Sequence, residues 1–158
     1  MKRITFIFAG AFLALLALQQ VSARASKSNV GTVITELKLQ FSGKAPELKG
    51  KPHVLEFWAT WCPPCRTSIP HLNELNKKYK DRGLTFIGAT DEDRQTVRNF
   101  VKDVPIEYAV AFDSNGKLNK EFGIQGIPHA MIVNSEGKIV WEGHPMSLKE
   151  SDLDAVLK

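Results

Sequence analysis

The sequence predicts an α/β fold, a three-layer sandwich, from three observations. Apolar strand-like runs alternate with helical periodicity through the middle of the chain, a hairpin pattern follows, and one more helical pattern closes it. With 158 residues the chain has the size of one compact domain, and 43% hydrophobic with 24% charged residues is the balance of a globular protein.

The first stretch stands apart. Lys2 and Arg3 precede an uncharged run from Ile4 to Leu18, and small residues follow at Val21-Ser22-Ala23-Arg24-Ala25. A basic start, a short apolar run and an A-x-A pattern describe a secretory signal peptide over residues 1–25, cut after Ala25 or after Ala23. The alternative is an uncleaved membrane anchor over Ile4–Ala23, which just reaches the length of a span but ends in polar residues. Three basic residues and no acidic one lie in residues 1–25, so the formal charge of +4 becomes +1 without them. That leaves no basic patch for nucleic acid. Export places the remaining domain, residues 26–158, in the periplasm, where disulfides persist.

Residues 26–32 (SKSNVGT) are polar and read as a frayed lead-in. LKLQF (37–41) offers an N-terminal strand extension, and HVLEFWAT (53–60) has the apolar content of a buried central strand. From Cys62 to Lys80, Ile69, Leu72, Leu75 and Tyr79 recur at helical spacing, and Gly83 ends that helix. LTFIGAT (84–90) is a second buried strand. Asp91-Glu92-Asp93 opens a further helix, its acids suiting the dipole of the first turn, with Val97, Phe100, Val101 and Val104 on one face. IEYAVAFD (106–113) is a short strand and KLNKEFG (117–123) a helical turn. AMIVN (130–134) and KIVWEG (138–143) flank the turn Ser135-Glu136-Gly137, and Ser147–Lys158 is a closing helix with Leu148, Leu153, Val156 and Leu157 inward.

The only cysteines, Cys62 and Cys65, sit in WATWCPPCR. As a structural staple they do little: so small a loop is worth only about 2 kcal/mol, whereas a long-range bridge approaches twice that. As half of a metal site they lack partners, because His53, His71, His129 and His144 show no paired-ligand spacing. Redox exchange fits best. Residues three apart at a helix start lie about 5–6 Å apart at Cβ, close enough to bridge. Cys62 falls at the helix N-terminus, where the dipole favours thiolate, and Cys65 one turn in and more covered. The exposed thiolate then attacks and the second thiol resolves. Pro63 and Pro64 preset the first turn and delete two N–H groups that would stabilise a Cys62 thiolate. The expectation is a moderately activated thiol that leans towards donating electrons.

These residues resemble the thioredoxin superfamily, in particular the exported TlpA-like reductases. The resemblance rests on EFWATWCPPC (56–65), on Pro70 five residues after Cys65, and on Gly126-Ile127-Pro128, and it spans most of the chain after the leader. It implies a thioredoxin-like fold, with a central mixed sheet flanked by helices and an inserted helix-strand segment near 92–104. It implies Cys62 as nucleophile, Cys65 as resolving thiol and Pro128 as a cis-proline facing the disulfide, with Ile127 offering backbone groups to a substrate strand. Glu56 stands at the place of thioredoxin's buried aspartate. Burial there would raise its pKa and let it exchange a proton with Cys65. Trp58 and Trp61 shield the pair and shape an apolar docking surface, with Pro63 beside them, or Trp58 belongs mainly to the core. Pro70 is expected to kink the long helix.

Two departures stand out. Ser68 replaces an acidic residue that some relatives carry, and His129 replaces threonine beside the cis-proline, as a strand residue or as a partner for a thiolate or metal. The implied function is a thiol–disulfide oxidoreductase acting on exported protein thiols, cytochrome c apoprotein cysteines among them. A membrane-embedded electron donor would serve it; no cofactor or metal is called for, and the chain is expected to be a monomer. Two rivals remain: a thiol peroxidase, whose P-x-x-x-T-x-x-C pattern is absent before Cys62, and a Cu(I) metallochaperone using Cys62, Cys65 and His129.

Overall fold

A computed structural model describes residues 28–158; the expected signal peptide and the anchor alternative lie outside the described residues. The strands are β1 (Gln40–Phe41), β2 (His53–Phe57), β3 (Thr85–Thr90), β4 (Ala109–Phe112), β5 (His129–Val133) and β6 (Ile139–Gly143). The helices are α1 (Pro63–Tyr79), α2 (Arg94–Asp103), α3 (Lys117–Glu121) and α4 (Glu150–Ala155). One mixed sheet runs in the order β1-β4-β3-β2-β5-β6. Its middle strands β2, β3 and β4 are parallel, while β1, β5 and β6 join antiparallel. This is the mixed α/β sheet expected from the sequence.

β2 is paired on both sides and buried at all five positions, which explains why it reads as a continuous apolar run. Alternation along it separates two cores. Val54 packs with Phe86 and Ile132 beneath α1 and α4. Leu55 and Phe57 pack on the opposite face with Leu118 and Phe122 and with Leu37, Leu39 and Leu48 of the N-terminal segment. A third cluster joins Trp58, both cysteines and Val97 of α2. The sheet is therefore covered on both faces.

α1 starts where the sequence says, because Pro63 and Pro64 occupy its first two positions. It runs as one helix through Pro70, whose ring lies on the exposed face, and passes into a 3-10 turn, Lys80–Arg82. Gly83, at φ 89°, closes it in the left-handed region open to glycine.

Several boundaries differ from the sequence reading. The lead-in is not frayed from residue 29 onward: Gly31 N–H donates to Ile139 O at 2.8 Å, Ile139 N–H to Thr32 O at 2.9 Å and Ile34 N–H to Gly137 O at 2.8 Å. An unpaired β6 edge would leave its backbone groups open, and this segment covers them. Only Gln40–Phe41 of LKLQF forms a strand, since β4 offers it just two partners. The strand read over 106–113 shortens to β4, with Tyr108 folding into the core ahead of it. The closing helix begins at Glu150, because Leu148 and Lys149 are extended and Lys149 N–H donates to Asp152 Oδ2 at 3.0 Å as a cap. Finally, the acids 91–93 precede α2 rather than forming its first turn. Asp93 is the N-cap, its Oδ1 accepting from Gln95 and Thr96 N–H at 2.8 and 3.0 Å.

Asp93→Ala should therefore lower stability through loss of this cap, read as a lower midpoint of denaturant unfolding at unchanged slope.

Candidate active site

The loop after β2 is held at both ends. Trp58 N–H donates to Ala89 O at 3.1 Å, and Cys62 N–H to Ala59 O at 3.2 Å. Cys62 is the N-cap of α1, and it is bonded to Cys65 with a Cα–Cα separation of 5.3 Å. Since Pro63 and Pro64 have no N–H, the first free donor of the helix is that of Cys65, and it points at Cys62 Sγ from 3.2 Å. The helix start thus supplies one N–H to this sulfur, the two prolines having none to give.

The expected difference in exposure is small. Cys62 is 2% exposed and Cys65 0%. Cys62 is covered from the side of the Ile127-Pro128 bond, which is cis, and Ile127 O lies 3.7 Å from Cys62 Sγ. Trp58 is core, its ring 5.6 Å from that of Phe100. Trp61 is 70% exposed, so it forms surface beside the pair and shields nothing. Pro63 is exposed next to it.

Glu56, on β2 six residues before Cys62, is 1% exposed. Tyr108 O–H donates to its Oε2 at 3.0 Å, and Ser68 Oγ lies 3.3 Å from its Oε1. Ser68 also donates to Cys65 O at 2.8 Å. Ser68 has one hydroxyl proton to share between Glu56 Oε1 and Cys65 O, and the hydroxyl rotor can serve either acceptor. Burial pushes the Glu56 pKa up to about 8, while the Tyr108 and Ser68 hydrogen bonds pull it back in part.

Sequence reading missed two of the residues that build this site. Glu92, whose charge suits a helix dipole, instead accepts from Thr60 N–H at 2.6 Å and from Thr60 Oγ1 at 2.7 Å, gripping the loop two residues before Cys62. The parallel register pairs Phe57 with Ala89, and continuing three residues along each chain brings Thr60 to Glu92. Tyr108 has the sequence context of a strand and carries no local signal of its contact with Glu56. His129 goes the other way. It pairs with Phe57, shares that face of the sheet, and its Nε2 lies 3.4 Å from Glu142 Oε2, too poorly aligned for a hydrogen bond. The alternation of β5 thus turns it towards the face opposite Glu56, away from the ligand set that copper binding needs. No cluster of three or more His, Cys, Asp or Glu able to hold a metal is found among the described residues.

Residues 31–157 match the model of the Redoxin family. The chain belongs to that family. Within it, the chain is 38% identical over 130 residues to the thiol-disulfide oxidoreductase ResA of Bacillus thuringiensis subsp. konkukian, covering 80% of this chain and 72% of the relative. Among solved structures, one named as a thiol:disulfide interchange protein DsbE from Chlorobium tepidum superposes with a TM-score of 0.74 at 27% identity, covering 84% of this chain and 100% of that one. Another, named as a protein disulfide isomerase from Bacteroides thetaiotaomicron, gives 0.68 at 26% identity over 80% of this chain and 85% of that one. This Redoxin-family chain is a TlpA-like oxidoreductase of the thioredoxin superfamily, as the resemblance implied.

A carboxyl whose pKa rises on folding binds more protons in the folded state between about pH 4.5 and about pH 8. Stability from Glu56 is thus fully present below that window and falls as pH rises through it. Glu56→Gln should flatten the decline, read as the pH dependence of the thermal midpoint from pH 5 to pH 9; an unaltered slope would show that Glu56 is charged in the fold.

Proposed function

We propose that this oxidoreductase reduces disulfides in exported proteins, with the Cys62–Cys65 pair as the redox centre. The observation that carries this is the placement of Cys62 Sγ at the start of α1, 3.7 Å from Ile127 O beside a cis-proline. There the backbone of Ile127 can pair with an extended substrate while Trp61 and Pro63 supply apolar surface.

In the reduced protein the Cys62 thiolate attacks one sulfur of the substrate disulfide. A mixed disulfide forms and the other substrate sulfur leaves as thiolate. Cys65 then gives its proton to Glu56, whose pKa of about 8 leaves it ionised in part near neutral pH, and attacks Cys62 Sγ. The Cys62–Cys65 bond forms, the second substrate thiolate leaves, and two electrons have passed to the substrate. Resetting the pair needs a dithiol donor, for which a membrane-embedded reductant is the fitting class. Cytochrome c apoprotein cysteines are a substrate of the right kind.

Residues 1–25 serve as the signal peptide that brings domain 26–158 to the periplasm, and the domain acts as a monomer without nucleic acid or cofactor. No helix among the described residues is long and apolar enough to cross a membrane.

Two measurements test this. Cys65→Ser, expressed in the source organism, should accumulate exported proteins as mixed disulfides on Cys62, and none should be trapped by Cys62→Ser. Because only one N–H reaches Cys62 Sγ, the potential against glutathione should be well below the roughly −120 mV of a strong oxidant; a value near that figure rules out the reducing direction.

A further inference from the structure

We infer that Tyr108 is a positioning residue that places the proton of Glu56 on the oxygen facing Ser68 and Cys65. The inference rests on the proton-exchange role of Glu56 proposed above.

Glu56 has two oxygens in different surroundings. Oε2 receives the phenol O–H of Tyr108 at 3.0 Å, and Oε1 lies 3.3 Å from Ser68 Oγ. Tyr108 is 8% exposed, and burial together with the neighbouring carboxyl holds its own pKa well above the ordinary phenol value. It therefore stays a donor. A donor at Oε2 leaves Oε1 as the oxygen that carries the acid proton, and Oε1 faces the hydroxyl that bridges to the Cys65 carbonyl at 2.8 Å. When Glu56 ionises, the same phenol stabilises the carboxylate.

Tyr108 reaches this place because of a missing side chain. Gly88 is the β3 partner of Glu56. A Cβ there would stand 3.0 Å from Tyr108 Cε2 and 2.9 Å from Trp58 Nε1, so the two rings occupy the room that any other residue would take. Tyr108 itself comes from the segment between α2 and β4. Around Glu56 the neighbours are thus Gly88 on β3, Ala130 on β5, Ser68 on α1, and Tyr108. Tyr108 is the titratable group among them, and Cys65, once reduced, is joined to Glu56 through Ser68.

Tyr108→Phe keeps the ring and removes the donor. In the full domain, the infrared C=O band of neutral Glu56, assigned by its loss in Glu56→Gln, should titrate about one to two pH units higher in Tyr108→Phe. The pH–rate profile for reduction of a small aryl disulfide should move the same way. An unmoved infrared midpoint in Tyr108→Phe overturns the inference and leaves the Glu56 role intact. A pH–rate profile that Glu56→Gln does not alter overturns the Glu56 role, and the inference falls with it.

Discussion

A carboxyl that is 1% exposed in the middle of the central strand is the most demanding group in this protein, and the site is arranged around meeting it. Left unpartnered, such a group costs several kcal/mol when charged, so it either stays neutral or gathers donors. Here it does both in measure. Burial favours the acid form, two hydroxyls pull back, and the resulting pKa of about 8 lies near neutral pH, where a group can give and take protons. Each partner comes from a different element: Ser68 from α1, Tyr108 from the segment before β4, and the empty face of Gly88 from β3.

The loop that leads to the disulfide has little freedom. Backbone bonds to Ala89 and Ala59 fix it, and the Glu92 carboxylate holds both donors of Thr60. Those contacts follow from parallel pairing of β2 with β3, which carries both chains to the same end of the sheet. That end is where open α/β sheets place their chemistry. The cis bond at Ile127-Pro128 closes the third side from β5.

Near-complete burial of both sulfurs changes how the pair must work. Asymmetry between the thiols comes less from exposure than from partners: Cys62 receives the Cys65 N–H and faces the Ile127 carbonyl, whereas Cys65 is tied through its carbonyl and Ser68 to Glu56. A substrate that pairs with Ile127 approaches from the side of Cys62, so the order of the two steps is set by geometry.

Much of this was legible in the residues. Alternating strand and helix patterns announced the layers, the two prolines marked the start of α1, and the spacing of Cys62 and Cys65 announced the redox pair, because these signals are local and act within one turn or one strand. The resemblance carried the cis-proline and the buried position of Glu56. The partners of Glu56, the grip of Glu92 on Thr60 and the turning of His129 towards Glu142 were not legible. Each joins residues 12 to 52 positions apart through the packing of separate elements, which no local pattern reports. By itself the sequence determined which residues carry the sulfur chemistry; only the packed sheet decided which groups surround them, since a proton's place depends on neighbours that the chain order keeps far apart.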